Sequence, residues 1–344
     1  MALTLQGLWR GAAPVLKLAP SLAITFLGLI LVTFVIGRIV PIDPVLAVVG
    51  DRAPPDVYDR VRLEMGLDLP IWRQFWIYLL KILSGDFGTA VLTAKPVLDD
   101  IKRVFPATLE LATVATVIGA VIGIPLGVIA ATKQGRWPDH VVRVIALFGQ
   151  SIPTFWLALI GLLVLYAKLD LVPGPGRINI AYMDFIEPIT GVIVLDALLQ
   201  GEWDAAKNAA RHLILPSCVL AYFSIAFISR MTRSFMIEQL KQEYITAARV
   251  KGASEFRVVW GHAFRNIAAP LCTVMALSYA NLLEGSVLTE TVFSWPGLGQ
   301  YITNSLLTAD MNAVLGGTIV VGFVFVTLNL LADLLYRTLD PRSR

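Results

Sequence analysis

"EYITAARVKGASEFRVVWGHAFRN", residues 243–266, sits between two apolar runs that are each long enough to cross a bilayer. The stretch is basic and carries Gly252 near its middle. Over 238–251 the residues Leu240, Tyr244, Ala247, Ala248 and Lys251 follow the helical step. Gly252 stops that helix, because glycine takes the left-handed cap conformation without strain. Ser254 then supplies an N-cap, with acidic Glu255 favourable beside it. A second helix follows, with Phe256, Val259, Trp260, Ala263 and Phe264 on one side. The expected product is a helix–turn–helix hairpin joining two membrane spans. Three surroundings suit its charge: anionic lipid headgroups, plain solvent, or another protein. Only the third uses the small pair Ala247–Ala248 ahead of Gly252, which lets a second backbone approach closely.

Working outward, the chain is 56% hydrophobic and 15% charged, against about a quarter charged for a soluble domain. Spans of about twenty apolar residues cross the ~30 Å hydrocarbon core. Six are expected, at 20–40, 107–131, 142–167, 213–231, 268–289 and 313–336. The fold class is therefore an all-α membrane protein. The first run continues to Ile39 and Val40 without a small-residue cleavage site, and is read as a retained span, TM1. The organisation expected is a short N-terminal segment 1–19, TM1, an outer segment 41–106 and a core 107–336 ending in a tail 337–344. The core carries an outer insert at 168–212 and the hairpin loop at 232–267.

Orientation follows lysine and arginine. With both termini inside, the inner segments and span ends hold fifteen basic and five acidic residues, or +10. The outer segments carry thirteen basic and eighteen acidic residues, or −5. Both termini and the hairpin are therefore expected in the cytoplasm. The outer segments are expected to be structured. In 56–88, Ile71, Phe75, Tyr78, Leu79 and Ile82 form one apolar stripe, for the membrane surface or for the protein. "VPGPGR" opens 168–212 as a turn cluster, and "ITGVIVLDALLQ" is too short to span.

Several chemistries find no support. There is no phosphate-cradling G-x-x-x-x-G-K-[ST] loop, no G-x-G-x-x-G, and no G-x-S-x-G or H-E-x-x-H. Cys218 and Cys272 fall in spans and make neither a disulfide framework nor a zinc spacing. His140, His212 and His262 are scattered. Glu110 is placed near the water-reached outer end of span two, and Asp333 near the inner end of span six beside Arg337. No charge network at the bilayer midplane is visible, which weighs against a stand-alone secondary transporter. "GQSIPTFW" (149–156) puts Pro153 inside span three, either lining a cavity or making a packing kink. Gly119, Gly123 and Gly127 form a close-packing face for a helix of this chain or of another subunit.

The Ala-Ala-x-x-x-Gly pattern, in a loop before the second-last span, resembles the "EAA" loop of bacterial ATP-binding-cassette import permeases. The resemblance to the dipeptide/oligopeptide branch runs along nearly the whole chain. It is carried by "VPIDP" (40–44), "MGLDLPIWRQFWIYL" (65–79), "GDFGTA" (85–90), "FPATLELA" (105–112), "IPLGVIAA" (124–131), "SIPTFW" (151–156), the run 214–252, "HAFRNIAAP" (262–270), "VLTETVFSWPGLGQ" (287–300) and "DPR" (340–342). Thr246 stands where the general loop has glutamate, which leaves open whether Glu243 takes its place. Ile42 stands where the branch commonly has glycine, and Glu284 is an unexpected acid.

The resemblance implies a multi-pass inner-membrane subunit that forms half of a pore and is not itself an enzyme. The chain would hold no cofactor: ATP and Mg would be bound by two separate cytoplasmic ATPase subunits. Those would dock on the hairpin at Glu243, Ala247, Ala248, Arg249, Lys251, Gly252 and Ser254. A second homologous permease would complete a heterodimeric pore, with a periplasmic solute-binding protein on the outer face and membrane lipid around it; no nucleic acid is involved. Gln150, Ser151, Pro153 and Phe155 are expected on the translocation path, and Glu284, Glu290 and Trp295 at the outer mouth or gate. Peptides are the expected substrates, with nickel chelates, glutathione, opines or oligosaccharides as alternatives in the same branch. A membrane scaffold is the remaining competing class.

Overall fold

The structure, a computed structural model, describes residues 5–39, 44–50 and 52–339. The "VPIDP" segment with Ile42 falls largely outside these residues, as does "DPR", and so do the side chains of Asp333 and Arg337. The helices are α1 (Leu5–Ile39), α2 (Pro44–Val49), α3 (Pro55–Glu64), α4 (Ile71–Leu83), α5 (Val97–Thr132), α6 (Trp137–Ser151) and α7 (Thr154–Gly161). They continue as α8 (Ile193–Leu199), α9 (Trp203–Leu240), α10 (Glu243–Val250), α11 (Phe264–Gly285), α12 (Val287–Val292), α13 (Leu298–Leu307) and α14 (Met311–Leu339). Five helical stretches are long and apolar enough to cross a membrane, and six if α6 and the stretch Thr154–Lys168 form one broken span. The chain divides into two compact units, 1–101 with 302–326, and 102–301 with 327–344.

In the first unit, the stripe on α4 packs on α1. Phe34 meets Phe75 and Tyr78 at ring distances of 5.4 and 5.6 Å, and the Tyr78 hydroxyl donates to Thr33 Oγ1. Leu79 is buried with them, while Trp72, Trp76 and Leu83 stay exposed on another face. Asp310 ties a turn down by accepting the Val91 N–H at 2.6 Å and the Ala313 N–H at 3.2 Å.

In the second unit α9 is central. The glycine face of α5 packs inside the chain, against Ser224, Ile228 and Thr232 of α9. A Cβ at Gly127 would stand 2.6 Å from the Ser229 carbonyl oxygen. Gly149 of α6 lies against Ala226 and Tyr222, and Ser224 and Ser278 share a buried hydrogen bond of 2.9 Å that joins α9 to α11. The third span is broken: α6 and the following helix meet at 99°, where Pro153 leads the new helix. The insert is structured, with a 3₁₀ turn at Ile180–Phe185 and α8. Asp196 fastens its start by accepting the Thr190 and Gly191 N–H groups at 2.8 and 2.9 Å.

Glu110 departs from its expected place in water. It is 5% exposed, and Arg177 clamps its Oε2 through Nε at 3.0 Å and Nη2 at 2.5 Å. Burial of an acid at this depth is tolerated because the insert brings a guanidinium to it.

Candidate functional site

The hairpin differs from one continuous helix over 238–251. Helix α9 ends at Leu240, the chain breaks at Lys241 and Gln242, and α10 starts at Glu243. Gly252 has φ +81°, and the turn closes through Gly252 N–H to Arg249 O and Ala253 N–H to Ala248 O, a left-handed C-terminal closure. The Ser254 hydroxyl makes no capping bond among the described residues; its carbonyl instead accepts the Val258 N–H at 2.9 Å. Glu255 reaches back across the turn to Arg249 Nε at 2.8 Å. That bond holds the Glu255 carboxyl below its ordinary range.

The second arm is also wound differently. Residues Arg257–Ala263 form a π-helical stretch, whose i→i+5 bonds take more residues per turn than an α-helix. The inward face therefore becomes Val258, Val259 and Ala263, while Phe256 is 75% exposed. A 3.6-residue period placed Phe256 inward and missed Val258. On the first arm the fully buried residue is Ile245; Ala248 is half-buried and Ala247 exposed. Ile245, Val258 and Ala263 share one apolar cluster with Val128 of α5, Ile228 and Met236 of α9, and Ile267 and Leu271 of α11. The base of the hairpin is thus packed into three long helices. Its tip exposes Val250 (83%) and Phe256 on either side of Gly252, together with Glu243, Thr246, Arg249 and Lys251.

At the broken span, Gln150, Ser151, Pro153 and Phe155 are all exposed. Ser151 Oγ donates to its own helix at Leu147 O, and Arg230 of α9 donates to Gln150 Oε1 at 2.6 Å. One turn along α9, Arg233 grips buried Asp139 through Nε at 2.6 Å and Nη2 at 2.9 Å. Neither arginine contact was anticipated from sequence.

The three residues assigned to an outer mouth separate. Glu284 is exposed on α11. Glu290 and Trp295 are fully buried within this chain. Glu290 Oε1 accepts the hydroxyls of Thr108 (2.8 Å) and Ser286 (3.0 Å), and Oε2 accepts the Gln300 N–H at 3.0 Å. Trp295 Nε1 donates to Ala107 O at 2.9 Å. Burial pushes the Glu290 carboxyl up, and the Thr108 bond leads the opposing effects. The segment 290–312 contains no lysine or arginine, and the buried acid is met by neutral donors, one of them Thr108 from α5.

Two family models cover the chain. "Binding-protein-dependent transport system inner membrane component" matches residues 123–344, and the corresponding N-terminal model matches residues 15–112. The chain belongs to this family. Among curated relatives, a probable D,D-dipeptide transport system permease protein, DdpB, from Escherichia coli K12 is 41% identical over 94% of each chain. The dipeptide transport system permease protein DppB of the same organism is 39% identical over 93% of this chain and 95% of its own. A solved inward-facing MetNI methionine ABC transporter is 18% identical, with a TM-score of 0.48, over 68% of this chain and 93% of that one. Membership makes this chain a multi-pass inner-membrane permease of a binding-protein-dependent transport system.

Proposed function

We propose that this permease forms half of a translocation pore for di- and oligopeptides and is driven by ATPase subunits seated on the 243–257 hairpin. The observation that carries the substrate class is identity near 40% to dipeptide permeases along almost the whole chain. In this reading the hairpin tip is cytoplasmic, in keeping with the +10 inner charge. The exposed pair Val250 and Phe256, ringed by polar groups, has the form of an anchor for a socket. The buried base makes the hairpin a rigid lever on α9 and α11, so cassette closure moves both helices and switches access. Gln150, Ser151, Pro153 and Phe155 line the path. A second homologous permease completes the pore, and a periplasmic binding protein delivers peptide to the outer segments.

The test keeps the fold and alters the tip. Ala247→Arg adds bulk at an exposed position. Gly252→Trp has open space around its Cβ and meets only left-handed backbone strain, about 1–2 kcal/mol. Both variants are expected to reach the membrane folded, while ATP-driven uptake falls at least tenfold with loss of cassette co-purification or of its coupling to ATP hydrolysis. Normal co-purification and full uptake in both would remove the hairpin from the mechanism.

A further inference from the structure

A cavity of about 280 Å³ lies between α6 and α9, and its lining includes Arg143, Leu147, Gln150, Arg230 and Arg233 but no acidic residue. Arg233 is already neutralised by Asp139, whose Oδ2 also accepts the Gly135 N–H at 3.0 Å. Arg143 and Arg230 are different. Among the described residues neither is within ion-pair distance of a carboxylate. Arg230 spends one N–H on the neutral Gln150 Oε1 and sits 5.9 Å from the Phe227 ring. That bond orients the Gln150 side chain and leaves its two amide N–H groups free to donate. The cavity therefore presents two guanidinium forks and an amide N–H₂ group, a donor set that fits a planar oxyanion.

The same side of α6 carries the break in the span. Gln150 and Ser151 end the helix, and the chain turns through 99° before Thr154. Interrupted backbone at membrane depth is stable only when buried in protein or lining a water-filled cavity. Gln150, Ser151 and Pro153 are not buried within this chain, and the guanidinium and amide groups lining the neighbouring cavity suit water rather than lipid tails. A solute travelling there meets the arginines. We propose that Arg143, Arg230 and Gln150 receive the C-terminal carboxylate of the transported peptide on its way to the cytoplasm. The assignment rests on the peptide-permease reading. A passage site of this kind holds its ligand weakly enough to release it.

Cysteine labelling in the assembled transporter, in lipid nanodiscs, tests this. Cys218 and Cys272 are both exposed and are first replaced by serine. A cysteine is placed at Leu147, or at Ala146 of the same lining if Leu147→Cys does not assemble. Its reaction rates with an anionic and a cationic methanethiosulfonate reagent are compared as a ratio, which cancels any change in thiolate content. The expected ratio favours the anionic reagent at least tenfold, persists in Arg143→Lys/Arg230→Lys, and falls to near one in Arg143→Gln/Arg230→Gln. Excess zwitterionic dipeptide slows the anionic reagent, and the same dipeptide as a C-terminal amide does not. A ratio near one with both arginines present would overturn the proposal. So would a thiol unreactive to both reagents, the mark of a lipid-facing side with phospholipid phosphate as the arginines' partner, or equal effects of dipeptide and amide. Failure of the intact complex to take up peptide would defeat the permease reading while leaving the charge preference measurable.

Discussion

At the scale of single residues, buried ion pairs tie distant segments together: Glu110 to Arg177, and Asp139 to Arg233. The Glu110–Arg177 pair is nearly dry, with side-chain exposures of 3% and 13%. Glu110→Ala leaves a guanidinium uncompensated and should destabilise by about 3–5 kcal/mol, whereas Glu110→Leu with Arg177→Met should cost far less. Thermal unfolding in detergent of the three proteins checks this; equal losses in single and double variants would show that the pair carries no coupling. Glu290 has a pH signature. Its folded-state value lies above the ordinary 4.5, so the folded state binds the proton more tightly. The resulting stability is fully present below 4.5 and is lost as pH rises through the folded value. Relative to wild type, Glu290→Gln should therefore gain in unfolding midpoint as pH rises from 4.5 through the folded value. A difference that is constant with pH would contradict it.

At the scale of elements, the proposed lever depends on the buried base of the hairpin. Ile245 is wholly buried among α5, α9 and α11 residues, and Ile245→Ala should cost roughly 2–5 kcal/mol. It should loosen the lever without touching the exposed tip. Hydrogen exchange across 243–263 should then quicken in the variant while cassette binding is weakened but retained; unchanged exchange would mean that the base is not held by this side chain. Much of this element was legible in sequence. Gly252 marked the turn because left-handed backbone excludes most other residues, and the three α5 glycines marked a close-packed face. The inward side of the second arm was not legible, because a π-wound stretch shifts which residues face the core and nothing local in "RVVWGHA" declares that winding. Likewise Asp139–Arg233 and Glu110–Arg177 join residues 94 and 67 positions apart. Such contacts depend on helix packing rather than on any local period.

At the scale of the whole molecule, the spans follow from apolar length alone, and family membership follows from identity along nearly the entire chain. The proposed division of labour goes further: this subunit would shape the passage, and a separate ATPase would supply the work through the 243–257 hairpin. The most direct measurement is uptake of labelled dipeptide into proteoliposomes, with and without ATP. It compares this chain reconstituted alone with the chain assembled with a partner permease, ATPase subunits and binding protein. The expected result is uptake only by the complete assembly and only with ATP, lost on Gly252→Trp. Uptake by the chain alone without ATP would contradict it.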